Sequence, residues 1–173
     1  MMNIYITAGT IDYLTIVKNK YPNENMLLMT AADGESAAIL HETSKGTLFN
    51  HPRKYEVIDG TGSFETATFV VMNNIPVTDE GKPLFEYQFK NRQQQIENQP
   101  GFVAIRVLRP LASNTYVILT LWENQQAFEN WKSSESFHKA HKKTAGSSGE
   151  GGQSPAIFAG PSYTTTYSIA EEE

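Results

Sequence analysis

Short apolar segments alternate with polar turns along the first half of the chain. Four of these segments have the length and composition of strands, at residues 3–7, 26–30, 37–42 and 55–58. Between the first two, Tyr13, Ile16 and Val17 recur at helical spacing and share one helical face. The first half therefore predicts a small sheet with one helix.

The second half repeats this pattern with stronger signals after a polar stretch at residues 59–66. A strand is predicted at residues 69–77, and a helix opens at Asp79 with Pro83 in its first turn, where a missing N–H costs little. The apolar positions of this helix are Phe85, Phe89 and Ile96. The spacing of four and seven residues places them on one face.

The remaining segments complete a β-α-β-β-α-β order. They predict two strands of a hairpin, a helix, a mobile Gly- and Ser-rich loop and a last strand, at residues 102–108, 115–122, 123–143, 144–155 and 163–169. The helix is predicted to break near Ser133. This order is that of a ferredoxin-like unit, an antiparallel sheet with both helices on one face.

The chain is thus predicted to be an α+β protein with two βαββ(α)β-like halves. The first, at residues 1–66, is a degenerate ferredoxin-like copy, and the second spans residues 67–173. Each sheet leaves one face uncovered by helices, so we expect two such sheets to close against each other. Closure within one molecule, as a monomeric pseudo-dimer, is favoured over a homodimer.

Composition narrows the classes of function. The chain has 39% hydrophobic and 19% charged residues and a net charge of −5, which disfavours nucleic acid and anionic membranes as partners. The absence of cysteine excludes disulfides, thiolate metal ligands and cysteine nucleophiles. We find no signal peptide or membrane-spanning run, so a cytoplasmic location is expected.

Three features could take part in binding or catalysis: the pair of histidines His138 and His141, the asparagine Asn73 and the tryptophan Trp131. His138 and His141 have i, i+3 spacing, which suits either a divalent metal site with a third ligand from elsewhere or two surface histidines. His141 follows Phe137 by one turn, so it points toward an apolar face, as a ligand or as a structural residue. Asn73 lies in an apolar strand row, where its amide is either functional or bonded to the backbone. Trp131 ends an amphipathic helical segment, where simple core packing is the alternative.

Residues 122–143, WENQQAFENWKSSESFHKAHKK, resemble a known pattern, W-x-x-x-x-A-F-x-x-W-x-x-S-x-x-F-x-x-A-H. It is typical of the haem-degrading, IsdG-like branch of the antibiotic biosynthesis monooxygenase (ABM) superfamily, which residues 73–167 resemble as a whole. Over the full chain, including residues 3–10, 55–60 and 105–111, the resemblance is to the bacillar HmoB-type members. TRAP-type signalling proteins share the same layout.

The resemblance implies a ferredoxin-like fold of the dimeric α+β barrel type and a haem-degrading monooxygenase. His141 would be the haem-iron ligand, while Asn73 and Trp131 would line the distal side, with adjacent Asn74 as the alternative amide. Phe128 and Phe137 are then expected to line the haem pocket.

Haem would be both substrate and cofactor, with O₂ consumed and electrons supplied by a separate reductase. Two alternatives remain. One is a haem-binding or haem-sequestering protein without turnover, and the other is a TRAP-like regulatory protein. The short IsdG-like enzymes lack the amino-terminal half, so their homodimeric assembly does not carry over directly.

Overall fold

The computed structural model describes residues 1–90, 96–133 and 157–169. Within these ranges the chain forms eight strands and three α-helices. Their bounds are β1 Asn3–Thr10, α1 Ile11–Lys20, β2 Met26–Ala31, β3 Ser36–Thr43, β4 Arg53–Thr61, β5 Phe69–Pro76, α2 Lys82–Lys90, β6 Phe102–Pro110, β7 Thr115–Trp122, α3 Gln125–Lys132 and β8 Tyr163–Ile169. A short 3₁₀ helix lies at Ile96–Asn98.

The strands form a closed antiparallel barrel in the order β1-β3-β2-β8-β5-β7-β6-β4. Strands β1 to β4 have the order β4-β1-β3-β2, and strands β5 to β8 have the equivalent order β8-β5-β7-β6. Each set is the sheet of one ferredoxin-like unit. The predicted α+β barrel with two related halves is confirmed, and the sheets meet at two seams, β2 with β8 and β4 with β6.

The barrel interior is a continuous apolar core to which both halves contribute. Its fully buried residues include Ile4, Leu40, Met72 and Leu119. The outer face of the barrel carries three further clusters, one under each helix: Leu14 anchors α1, Phe85 anchors α2 and Phe128 anchors α3. Because side chains alternate along a strand, strands such as β3 and β7 contribute both to the interior and to the outer clusters.

Helix α1 packs differently from the sequence prediction. Tyr13 and Ile16 are 56% and 65% exposed, whereas Leu14 is 1% exposed and fills the cluster beneath the helix together with the partly buried Val17. The helical spacing placed Val17 on one face with Tyr13 and Ile16. In the structure, α1 is oriented about its axis so that Leu14 faces β3. The predicted shared face was therefore wrong as a guide to burial.

The bounds of one strand and one helix also differ from those predicted from the sequence. Strand β4 continues through Thr61, so the first three residues of the predicted polar join pair with β6, past an irregularity between Val57 and Asp59. Helix α2 begins at Lys82 rather than at Asp79, because Thr78 forms a turn that precedes it. The Gly81 backbone N–H donates to Thr78 Oγ1 at 3.0 Å in that turn.

Helix α3 ends at Lys132, with Ser133 as its C-cap, in agreement with the predicted break. The rest of the predicted helical stretch, residues 134–143, and the predicted mobile loop at residues 144–155 lie outside the described residues. Within the described ranges, we find no helix long and apolar enough to cross a membrane.

Candidate functional site

The outer face of the carboxy-terminal sheet carries the sequence-predicted site residues that the structure describes. On β5, Phe69 and Val71 point outward into the cluster under α3, and Ile75 points outward into the cluster under α2. Val70 and Met72 point into the barrel. Asn73 therefore lies on the outer face, between the regions covered by the two helices, as the strand alternation predicted.

Asn73 is a polar position in an apolar row. It is half-buried, and its cross-strand neighbours are Ile118 on β7 and Thr164 on β8. Among the described residues, no hydrogen bond to the Asn73 amide is found, although β5 is paired on both sides. The amide is thus held on a rigid strand with its donors and acceptor available on the outer face.

Asn74 has the opposite environment. It is 2% exposed and faces the barrel interior. Its Nδ2 donates to Thr165 Oγ1 at 2.7 Å, to the Tyr163 carbonyl at 3.2 Å and to the Met72 carbonyl at 3.2 Å. The bonds to Thr165 and Tyr163 join β5 to β8, so Asn74 acts as a structural amide and is turned away from the outer face.

An aromatic cluster under α3 lies beside the Asn73 position. Trp122 is its centre, is fully buried and donates its indole N–H to Thr120 Oγ1 at 3.0 Å. The Phe102 and Phe128 rings pack edge-on against Trp122, both with centroids at 5.9 Å. Trp122 is thus a core residue whose polar atom is satisfied.

Trp131 lies at the edge of the same cluster. Its ring is half-buried and is 5.8 Å from that of Trp122 and 6.3 Å from that of Phe128. Phe128 is 8% exposed and packs 6.0 Å from Phe69. The structure therefore places Asn73, Phe128 and Trp131 on one face of one sheet, with Val71 belonging to both the strand row of Asn73 and the cluster of Trp131.

Two local features fix the position of α3. Asn124 caps its amino terminus, with Oδ1 accepting from the Ala127 N–H at 2.8 Å. Gly101 has a φ of 80°, and a Cβ there would lie 2.4 Å from the Ala127 Cβ. The glycine therefore supplies a left-handed turn and also the close approach that lets α3 pack against the sheet.

Helix α2 is fastened to the same sheet by a charged cluster. Glu86 accepts from Arg109 through two hydrogen bonds, Nη2 to Oε1 at 2.5 Å and Nε to Oε2 at 3.0 Å, and also accepts from the Tyr116 hydroxyl. Arg109 Nη1 also donates to Glu56 on β4 at 2.9 Å. The cluster therefore joins α2, the carboxy-terminal sheet and one seam of the barrel.

These contacts shift the ionisation of the groups involved. The Arg109 guanidinium lowers the pKa of the Glu86 carboxyl below its ordinary value. Burial, together with the hydrogen bond to Glu86, raises the pKa of Tyr116, while the carboxylate raises the pKa of Arg109. All three groups keep their usual charge at neutral pH, as expected for a structural tie.

Ile118 and Thr164 flank Asn73 in the sheet, and neither was among the residues predicted from the sequence. Thr164 is exposed on the outer face. The alternation of side chains along β7 and β8 could show which residues face outward. It could not identify the neighbours of Asn73, because the register of these strands against β5 is a tertiary feature.

The histidines divide into described and undescribed positions. His41 on β3 is fully buried, and its Nε2 lies 3.5 Å from Glu24 Oε2, while His51 is exposed. His138, His141 and Phe137 fall in residues 134–156, outside the described ranges, and their predicted roles stay predictions. The part of the chain that the structure describes contains no cluster of three or more His, Asp or Glu side chains suited to a metal ion.

Comparisons with known proteins agree with this architecture. Residues 68–143 match the family model described as antibiotic biosynthesis monooxygenase. The signal transduction protein TRAP of Staphylococcus aureus is 30% identical over 155 residues, which cover 87% of this chain and 92% of that protein.

Two solved structures extend the comparison. A staphylococcal protein, described as a major regulator of staphylococcal pathogenesis, aligns with a TM-score of 0.85 and 26% identity over 98% of this chain and 100% of its own. The heme-degrading enzyme LmHde of Listeria monocytogenes aligns with a TM-score of 0.71 and 21% identity over 97% and 99% of the two chains. At that identity the second likeness shows the fold.

The resemblance seen in the sequence is thus confirmed for the ABM domain, whereas the narrower likeness to HmoB-type enzymes is not shown, because the curated relatives are TRAP proteins. With 30% identity over nearly its whole length, the chain belongs to the family of the signal transduction protein TRAP and carries an antibiotic biosynthesis monooxygenase domain at residues 68–143.

Proposed function

We propose that this protein binds haem on the outer face of its carboxy-terminal sheet and degrades it, with O₂ and an external electron donor. The observation that carries the proposal is the Asn73 amide. It is held without a hydrogen-bond partner among the described residues, on an otherwise apolar face next to the aromatic cluster of Trp131. An amide so placed is suited to a ligand that brings its own polar atoms to an apolar surface.

The residues on this face fit a flat apolar ligand. Val71 and Ile118 supply aliphatic surface, and Phe128 and Trp131 supply aromatic surface beside it. Bound haem supplies the redox-active iron and the tetrapyrrole that is opened. Asn73 would orient a polar ligand atom from its strand position, and Trp131 would contact the bound macrocycle from α3. The resemblance of residues 122–143 to the IsdG-like pattern implies that His141 would bind the haem iron and that Phe137 would line the haem pocket.

The environments of the two asparagines and the two tryptophans support the choice of Asn73 and Trp131 for these roles. Asn74 and Trp122 are buried with their polar atoms satisfied. Asn73 and Trp131 are half-buried on the outer face. The Listeria heme-degrading enzyme shares the fold, which shows that this architecture is compatible with haem degradation.

A haem titration tests the proposal. We expect saturable binding of micromolar haem by the purified chain, and loss of the Soret band when ascorbate is added under O₂. His141→Ala should lower haem affinity by about tenfold or more, because the iron loses its ligand. The matched control is His138→Ala, three residues away on the predicted helix, which should bind haem as the unaltered protein does.

Asn73→Ala and Trp131→Phe should keep haem binding and slow the loss of the Soret band, since both residues are proposed to act on bound haem. An intact Soret band in the unaltered protein, under ascorbate and O₂, would instead identify a haem-sequestering protein. A His138→Ala defect equal to that of His141→Ala would overturn the ligand assignment.

A second candidate is a regulatory protein of the TRAP type, in which haem has no role. It is favoured by the 30% identity to the staphylococcal signal transduction protein over 155 residues. Failure to bind haem at micromolar concentration would favour this candidate over the enzyme.

A further inference from the structure

One end of the barrel holds a cavity of about 400 Å³, distinct from the outer face described above. Its apolar wall is formed by Leu27, Ala67 and Ile169, which pack with the barrel interior. Its polar wall is formed by Glu42 and Arg106. The volume lies in the range of sites for small organic molecules.

Glu42 and Arg106 face each other across the barrel mouth. Glu42 comes from β3 and Arg106 from β6, strands that are not neighbours in the barrel. The Arg106 Nε donates to Glu42 Oε2 at 2.7 Å, and the two side chains are only 11% and 9% exposed. An ion pair this deeply buried needs its remaining hydrogen-bonding capacity satisfied.

Four of the five N–H groups of Arg106 donate to protein oxygens at 2.7–2.9 Å, and the fifth, on Nη2, faces Glu42 Oε1 at 3.5 Å. Its Nη1 donates to the carbonyls of Thr61 and Ile105 at 2.8 and 2.9 Å, and its Nη2 donates to the carbonyl of Gly62 at 2.7 Å. The Phe64 ring covers the guanidinium at 4.9 Å. The guanidinium is therefore directed almost entirely at protein oxygens, and its one weakly bonded N–H faces a carboxylate, which disfavours an anionic ligand.

Glu42, the partner of Arg106, has one carboxylate oxygen with only weak hydrogen bonds from the described residues. Among the described residues, its Oε1 is contacted at 3.5 Å, the limit of hydrogen-bonding distance, by Arg106 Nη2 and by Asn25 Nδ2. Glu65 also lines the cavity, so two carboxylates stand against one guanidinium. The cavity thus combines an under-coordinated, nine-tenths buried carboxylate oxygen with a short apolar wall and a net negative charge.

We propose that the barrel mouth binds a small primary amine, whose ammonium group donates to Glu42 Oε1 and whose alkyl part contacts Leu27, Ala67 and Ile169. A charge-assisted hydrogen bond in a partly desolvated site favours a cation over a neutral molecule of equal size. This site is independent of the proposed haem face, because Glu42 points into the barrel and Asn73 points out of it.

The test is a titration of the full-length chain with n-butylammonium chloride, followed through the NMR methyl signals of Leu27 and Ile169. We expect saturable shifts at about 10 mM or below, beyond those caused by sodium chloride at equal ionic strength. Neutral n-butanol, which has the same alkyl chain, should bind about tenfold or more weakly, and butyrate should not bind.

Two variants separate recognition from folding. Glu42→Gln removes the carboxylate and should abolish the preference for butylammonium over butanol. Ala67→Leu fills the apolar wall without touching the ion pair, and should abolish binding while circular dichroism shows the fold intact. Absence of saturable shifts in the unaltered protein, equal binding of butanol, or unchanged binding in a folded Ala67→Leu variant would each overturn the proposal.

Discussion

At the scale of single residues, the adjacent asparagines of β5 show how one strand separates two tasks. Asn73 and Asn74 have the same chemistry, and the pleat of the strand turns one outward and the other inward. The Asn74 amide donates three hydrogen bonds within the barrel wall. The Asn73 amide makes none with the described residues. Sequence alone left open which amide belonged to the site, because both match a polar position near the end of a strand.

This difference predicts unequal effects on stability. Asn74→Ala removes three donated hydrogen bonds and leaves Thr165 and two backbone carbonyls without the Asn74 amide as partner, so we expect the free energy of unfolding to fall by about 1–3 kcal/mol. Asn73→Ala should change it by less than about 0.5 kcal/mol, as surface-type substitutions do. Urea unfolding followed by circular dichroism measures both, and equal losses would contradict the assignment of faces.

At the scale of elements, the helices are placed by contacts that the local sequence does not reveal. The spacing of α1 suggested a face containing Tyr13 and Ile16, but Leu14 was the residue that met the sheet. Helix α2 was predicted from Phe85 and Phe89, which do face the sheet, yet the cluster centred on Glu86 that fastens it was not anticipated. Ion pairs between distant segments leave no periodic signal in the sequence.

The Glu86 cluster predicts a pH-dependent contribution to stability. The folded-state pKa of Glu86 is lowered from its ordinary value of 4.5. Its contribution is therefore fully present above about pH 4.5 and is lost as the pH falls through the lower, folded-state pKa. Glu86→Gln should reduce the free energy of unfolding by roughly 1 kcal/mol at pH 7, a difference that shrinks as the solution is acidified.

Thermal unfolding of both proteins between pH 7 and acidic pH measures this effect. Glu80→Gln serves as the matched control, since Glu80 is exposed and precedes the same helix. A Glu86→Gln penalty that stays constant with pH would show that the loss comes from packing rather than from the charge.

At the scale of the whole molecule, the barrel is closed by two seams between unlike halves. Strand β2 pairs with β8 through three residue pairs, Met29 with Ile169, Thr30 with Ser168 and Ala31 with Tyr167. The other seam, β4 with β6, is longer and extends from Tyr55 to Thr61 on β4. Each half supplies both the unpaired strand edges and the apolar face that the other half covers.

The division at residue 66 stays a prediction, and a fragment tests it. Residues 67–173 alone would expose two strand edges and the interior row of Val70, Met72 and Leu119. We expect this fragment to form dimers or larger assemblies in size-exclusion chromatography, rather than a folded monomer. Mixing it with a 1–66 fragment should restore a one-to-one complex, and a monomeric, cooperatively unfolding 67–173 fragment would contradict the prediction.

The sequence by itself determined the local elements and the fold class. Strand alternation, the turn residues and the helical spacing are short-range properties, so they identified most strands and placed Asn73 on the apolar row of β5. The doubled β-α-β-β pattern also indicated that two sheets close on each other.

Only the tertiary structure decided the register of the seams, the rotation of α1 and the Glu42–Arg106 pair across the barrel mouth. These depend on contacts between residues far apart in the chain, 64 positions in the case of that pair. Contacts of this kind are selected by packing of the whole barrel, because a one-residue change in register would turn every interior side chain outward.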